Sequence, residues 1–310
     1  MKHFLSLKEL KPKEMEFLIE KGIEIKKNPE KYFDALKDKT LLMIFEKPSL
    51  RTRVSFEVGM TQLGGHAIYY DVATSPLGKK ESISDTAKTA SRYVDIIMAR
   101  MYKQADIRGL AENSSVPVID ALSDIAHPCQ ITADLQTIKE KKGKLKGLTL
   151  SYVGDANNNV TYSLMHGTAL VGMNMKIGFP KGEEFEPKKE ILKEAEEIAE
   201  KTGAKIELFN NAVNAVEEAD VVYTDSWMSY HVQEQEKERR RNQLIPFQVT
   251  DELMSKAKKD AVFMNCLPAM RGMEQTAEVI DGKQSIVFDQ AENRLHAQKA
   301  IMLWLLDYWK

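Results

Sequence analysis

Five consecutive residues, Ser49-Leu50-Arg51-Thr52-Arg53, put two hydroxyls and two guanidiniums where they suit an anion. The apolar run at 41–45 reads as a buried strand, and Phe56, Val58, Met60 and Leu63 follow at roughly helical spacing up to Gly64-Gly65. The cluster therefore falls where a strand turns into a helix. Unpaired backbone N–H groups and the helix dipole favour negative charge there. Forked guanidiniums match phosphate oxygens. The plainer reading of the same residues is a Ser N-cap followed by surface arginines.

Four further clusters also begin near predicted strand ends. Arg100 follows the apolar stretch 95–99, where a charge serves either a ligand or a surface ion pair. His127-Pro128-Cys129-Gln130 offers an imidazole and a carboxamide at the start of a helix, able to donate to a carbonyl and accept from an amide. His127 alone suits capping or packing equally. Asp225, in Asp225-Ser226-Trp227-Met228-Ser229-Tyr230, is placed to hold an ammonium or to cap the next turn. Cys266, in Asn265-Cys266-Leu267-Pro268, reads as a nucleophile or as a small buried hydrophobe.

Several chemistries find no support. Gly154-Asp155-Ala156-Asn157 lacks the Gly-x-Gly-x-x-Gly spacing of a dinucleotide site, and no Gly-x-x-x-x-Gly-Lys-Ser/Thr loop occurs. No Cys/His spacing suggests zinc and no acidic loop suggests calcium, so no metal or cofactor is expected. Lys237-Glu238-Arg239-Arg240-Arg241 reads as a solvated loop or helix face.

The elements that must position these groups alternate. Strands read at 41–45, 67–70, 95–99, 116–119, 148–153, 174–179, 204–209, 220–224, 261–266 and 285–288. Helices read from Pro12 to about 23, then at 52–63, 84–93, 104–113, 128–141, 159–171, 187–202, 212–218, 250–258 and 292–306. Such alternation predicts an α/β protein of open, mostly parallel sheets flanked by helices, whose ligands gather at strand carboxyl ends. A chain of 310 residues favours two domains, and the lysine-rich 139–146 stretch around Gly143 marks the boundary. The expected division is 1–142, 147–290, and a C-terminal helix at 291–310 that packs back across the boundary.

Composition adds exclusions. With 43% hydrophobic and 29% charged residues and a net charge of −2, the chain has the profile of an ordinary globular protein. The mixed charges, with a pI near 6.4, argue against nucleic acid. No apolar stretch approaches the roughly 20 residues of a membrane span, and no signal-peptide pattern opens the chain. Two cysteines in a chain of this size suggest free thiols and a cytoplasmic setting.

In this order the clusters resemble the aspartate/ornithine carbamoyltransferase family, its ornithine branch most closely. The resemblance covers nearly the whole chain. It rests on 45–53, Leu63-Gly64-Gly65-His66, Asp85-Thr86-Ala87, 127–130, 154–159, Thr224-Asp225-Ser226-Trp227, Cys266-Leu267-Pro268-Ala269 and 288–296. It implies metal-free transfer of a carbamoyl group from carbamoyl phosphate to the distal amine of L-ornithine, giving citrulline in arginine metabolism. By the same resemblance Ser49, Leu50, Arg51, Thr52, Arg100, His127, Gln130, Cys266, Leu267 and Arg294 line the carbamoyl phosphate site. Asn159, Asp225, Ser229 and Tyr230 line the ornithine site, and Arg51, Arg100, His127 and Cys266 serve catalysis. It further implies a homotrimer, or a multiple of trimers, with shared active sites reached by the 74–82 loop.

The chain departs from the family pattern at four places. Leu50 replaces a Thr, Pro76 a Gln and Asn265 a His, and Ser229-Tyr230-His231 replaces Ser-Met-Gly. These departures keep two alternatives in view: transfer to another amine, such as putrescine or an N-acylated ornithine, and a catalytically silent ligand-binding paralogue.

Overall fold

The computed structural model describes every residue except Pro76, Gly78, Lys79, Ser229, Tyr230, His231 and Lys310. The chain forms two compact units, Met1–Gln136 with Glu292–Lys310, and Thr137–Ala291. The division thus falls inside a helix, ahead of the 139–146 stretch that sequence marks as the boundary.

In the first unit α1 (Pro12–Lys27) leads to β1 (Thr40–Phe45), α2 (Leu50–Gln62) and β2 (His66–Asp71). There follow α3 (Ile83–Ala90), β3 (Ile96–Arg100), α4 (Gln104–Asn113), β4 (Val118–Leu122) and the start of α5 (Pro128–Lys142). The four strands form a parallel sheet in the order β2-β1-β3-β4. β3 and β4 are buried along their whole length, as near-continuous apolar runs in a helix-covered parallel sheet should be. The strand order reverses between β1 and β3, so their carboxyl ends open the crevice where such folds take ligands. Phe45 stands opposite Arg100 in register, and the ladder shifts between Ala99 and Arg100. Such a bulge re-aims the last side chain of a strand.

The second unit runs through β5 (Thr149–Val153), α6 (Asn159–Leu170), β6 (Asn174–Gly178), α7 (Lys189–Thr202), β7 (Ile206–Phe209) and α8 (Ala212–Val216). It continues through β8 (Val221–Tyr223), α9 (Lys237–Leu244), α10 (Asp251–Met254), β9 (Val262–Met264) and α11 (Ala277–Ile280). Its parallel sheet is ordered β7-β6-β5-β8-β9, reversing between β5 and β8. From residue 160 to its end α6 is buried on every side, whereas α7 buries the stripe Ile191, Ala195 and Ala199.

The last helix, α12 (Val287–Leu305), begins in the second unit and supplies the first unit's C-terminal element. There Asn293 Oδ1 accepts from Lys26 Nζ at 2.9 Å and from Gln136 Nε2 at 3.2 Å. The strand expected at 285–288 is not formed: Ser285 makes one bridge to Phe263, and the helix starts two residues on. An apolar run of Ile286-Val287-Phe288 serves a strand or a buried first turn equally, so periodicity alone does not separate them.

Candidate active site

The first unit gathers its candidate residues at the reversal between β1 and β3. Ser49, in extended conformation, caps α2 and accepts from the Thr52 N–H at 3.2 Å. Leu50, the first helical residue, is 73% exposed and offers no polar side-chain atom. Arg51 is half-buried on the same turn. Arg53 turns elsewhere: it pairs with Glu57 at 3.3 Å and stacks 3.9 Å from the centre of the Tyr69 ring. Of the two guanidiniums that the motif offers an anion, one is therefore engaged on the helix surface.

Arg100 ends β3, buried, and its Nε donates to the Lys47 carbonyl at 3.2 Å. Its own carbonyl accepts from the Glu46 N–H at 2.9 Å, which holds the turn after β1 against it. His127 stands just before α5 and is 5% exposed. Burial holds its imidazole well below the usual range, and Arg294, Arg100, Lys47 and Arg51 push the same way. The ring is therefore neutral at physiological pH, keeping one N–H donor.

Arg294 arrives from α12. It donates to Gln130 Oε1 at 2.6 Å and to Thr52 Oγ1 at 3.2 Å, while Gln130 Nε2 donates to Asp134 at 2.8 Å. One guanidinium thus couples the α2 cap to the start of α5. Cys129, fully buried, has its thiol pushed up to about 12 by burial, which leaves it unreactive.

The second unit does the same where β5 and β8 diverge. Gly154 follows β5 at φ +136°, and a Cβ there would lie 3.1 Å from the buried Trp227 Nε1, so the position requires glycine. Asn158 caps α6 by accepting from the Val160 and Thr161 N–H groups, both at 2.9 Å, and Asn159 is the first helical residue. Asp225 follows β8, and the Cys266 thiol donates to its Oδ1 at 3.2 Å. Asn265 is fully buried and bonded at both ends: Oδ1 accepts from the Leu267 N–H at 2.8 Å, and Nδ2 donates to Gln275 Oε1 at 3.1 Å. Gln290 Oε1 accepts its backbone N–H at 3.1 Å.

Asn159, Asp225 and Cys266 thus share one end of the second sheet, and Ser49, Arg51, Thr52, Arg100, His127, Gln130 and Arg294 share one end of the first. Ser229 and Tyr230, expected in the ornithine site, lie outside the described residues, as does Pro76 of the 74–82 loop. The run at 237–241 is not simply a solvated face. Arg240 is buried and donates to Asp155 at 2.5 Å. Burial pushes the Asp155 carboxyl up to about 6, against the pull of the guanidinium. Local sequence gives no sign of this pair, since its members stand 85 residues apart. Among the described residues no cluster of His, Cys, Asp and Glu has the make-up of a metal site.

Cations surround a neutral imidazole at one reversal, and carboxylate, amide and thiol gather at the other, groups of the chemistry that an α/β enzyme uses for an anion and an amine. Residues 2–140 match the carbamoyl-P binding domain of the aspartate/ornithine carbamoyltransferases, and residues 146–305 match their Asp/Orn binding domain. The chain belongs to that family. It is 51% identical over 305 residues to the ornithine carbamoyltransferase of Oceanobacillus iheyensis, covering 98% of this chain and 94% of that one. A catabolic ornithine carbamoyltransferase of Thermoplasma acidophilum is 46% identical, with 96% of each chain covered. The solved ornithine carbamoyltransferase of Pyrococcus furiosus superposes with a TM-score of 0.92 at 47% identity, covering 97% of this chain and 96% of that one. No helix among the described residues is long and apolar enough to cross a membrane.

Proposed function

We propose that this enzyme transfers the carbamoyl group of carbamoyl phosphate to the δ-amine of L-ornithine, releasing L-citrulline and phosphate. The observation that carries the reading is the cation cluster of Arg51, Arg100 and Arg294 about the neutral His127. Ser49, Arg51, Thr52 and Arg294 hold the phosphate. Arg100 and His127 donate to the carbonyl oxygen, and Gln130 Oε1, which keeps a second lone pair, accepts from the carbamoyl amide. Asp225 takes the α-ammonium and Asn159 the α-carboxylate, with Cys266 beside the attacking amine.

A free alkylammonium titrates near 10.4, so desolvation must first bring its pKa down and expose the lone pair. That lone pair attacks the carbonyl carbon, and the oxyanion forms against Arg100 and His127. Each such fixed donor is worth about 3–4 kcal/mol of barrier. As the carbon–oxygen bond to phosphate breaks, the leaving phosphate takes the amine proton. Holding both substrates aligned supplies much of the remaining acceleration.

The same reading sets the enzyme in arginine biosynthesis, in the cytoplasm, as a homotrimer or a multiple of trimers. Two free cysteines support the reducing compartment. Support for self-association is an exposed apolar stripe of Leu50, Val54 and Val58 along α2, with Ile68 on the edge strand β2. A second reading, transfer to another amine, draws on Tyr230-His231 in place of Met-Gly.

Carbamoylation of a panel of ornithine, putrescine, N-acetylornithine, aspartate and lysine tests these readings, scored by product mass and phosphate release. Citrulline as the dominant product is expected. A different dominant product transfers the function to the second reading. Saturable carbamoyl phosphate binding without any product means a silent paralogue.

A further inference from the structure

None of the roles above uses Arg240, yet it is among the most buried charges of the second unit. Its guanidinium bonds Asp155 and lies 4.9 Å from the centre of the Phe185 ring, and both side chains of the ion pair are 9% exposed. Next to it Arg239 grips Glu184 with both Nη atoms, at 2.5 and 2.7 Å. The same turn is tied to the loop after β5: the Ala156 N–H donates to the Phe185 carbonyl at 3.1 Å, and Asn157 Nδ2 to the Glu184 carbonyl at 3.3 Å.

Asp155 itself is woven into that loop. Its Oδ1 accepts from the Asn157 N–H at 3.0 Å, and its carbonyl accepts from the Tyr152 hydroxyl at 2.8 Å and from Asn158 Nδ2 at 2.5 Å. Asn158 is the cap that sets the first turn of α6, and so the place of Asn159. One ion pair therefore joins the loop that ends at Asn159 to α9, the helix that follows the 225–231 segment.

We propose that Arg240 is a positioning residue for the amino-acid substrate: it pins Asp155, and through it the Asn158 cap and the Asn159 end of α6. The proposal rests on ornithine, or another α-amino acid, being the acceptor. Without the guanidinium, Asp155 loses its counter-charge and its tie to α9, burial drives its carboxyl to the neutral form, and the loop that ends at Asn159 loses its anchor. Without the carboxylate, Arg240 keeps only Glu184, 3.8 Å away, and no longer holds the loop after β5. Either loss weakens the amino acid and leaves carbamoyl phosphate, bound by residues of the other unit, unaffected.

The test compares full-length wild type with Arg240→Gln, Asp155→Asn and the double variant, measuring the ornithine KM, the carbamoyl phosphate Kd and the melting temperature. Each single variant is expected to raise the ornithine KM by about 30-fold or more, the low end of the scale for truncating one partner of a buried charge pair. The carbamoyl phosphate Kd should stay within about twofold, and the neutral Asn–Gln pair should recover most of the lost ornithine affinity. A purely structural pair would lower the melting temperature and leave the ornithine KM alone, or shift both substrates together; either result overturns the proposal. Should Arg240→Gln fail to fold, Asp155→Asn alone decides, because an unchanged ornithine KM there is fatal. A wild type that carbamoylates no amino acid overturns the reading underneath, and this proposal with it.

Discussion

Arg294 donates to the carboxamide oxygen of Gln130 at 2.6 Å, joining residues 164 positions apart in one buried contact. Its second bond, to Thr52, makes the same guanidinium part of the α2 cap. Arg294→Ala removes a charge and the donor to the Gln130 carboxamide oxygen, while Thr52 Oγ1 keeps the Ser49 hydroxyl at 3.2 Å. Charge-assisted bonds are worth about 1.5–3 kcal/mol each, so carbamoyl phosphate should bind about 10- to 100-fold more weakly. Calorimetric titration checks this; an unchanged Kd would remove Arg294 from the phosphate site.

Arg51 and Arg53 should part company. Arg51→Ala is expected to abolish turnover while leaving the fold intact. Arg53 is spent on Glu57 and the Tyr69 ring at the surface. Its alanine variant should keep carbamoyl phosphate affinity within about twofold and lose at most about 1 kcal/mol of stability. Equal loss of activity in both variants would count against the geometry of the α2 turn.

His127 links stability to pH with a definite sign. Its folded pKa is held well below the ordinary value, first by burial and then by the surrounding cations. Above about pH 6.5 neither state binds a proton there, and the residue contributes no slope. Below it the unfolded chain protonates while the folded one does not, so stability falls with falling pH, by up to about 1.4 kcal/mol per unit. Urea melts at pH 7, 6 and 5 should show a shallower acid slope for His127→Gln than for wild type. Parallel slopes would mean that the imidazole is charged in the folded state.

Lys299 carries the same logic at the alkaline end. It is 2% exposed, and burial pushes its ammonium down to about 8. As pH rises from about 8 towards 10.4 the folded state sheds a proton that the unfolded chain retains, so stability rises across that window. Lys299→Met should flatten the rise and, by removing a buried charge, add about 1–2 kcal/mol at pH 7. The bond lost to Gln62, an exposed residue, passes to water. A destabilised variant would mean that this bond outweighs the desolvation.

Asn265 stands where the family usually has His, and its two side-chain bonds show what the position demands: an acceptor for Leu267 and a donor for Gln275. Asn265→Asp keeps the size and the acceptor but sets two acceptors face to face. A loss of about 1–3 kcal/mol is expected in denaturant melts.

Local signals were legible where the chemistry is local. The strand at 41–45 and the cap at Ser49 follow from an apolar run and a hydroxyl at the right spacing, and both stand in the structure. At 285–288 the pattern was ambiguous, because three apolar residues fit a strand or the first turn of a buried helix. Arg51 and Arg53 are indistinguishable by type, and Glu57 with the Tyr69 ring on the neighbouring strand separates them. Arg240 was unreadable for a related reason. It sits amid charges of both signs, and its burial is decided by a carboxylate in another loop.

The first unit is encoded at both extremities of the chain, and this has a temporal consequence. During synthesis the segment from 137 to 291 is polymerised before Arg294 has been made. Ser49, Thr52, Arg100, His127 and Gln130 are by then long in place, lacking the one guanidinium that ties Thr52 to Gln130. A nascent or prematurely terminated chain therefore carries an unfinished cation cluster. Synthesis of the stretch that carries Arg294 is itself the step that assembles it.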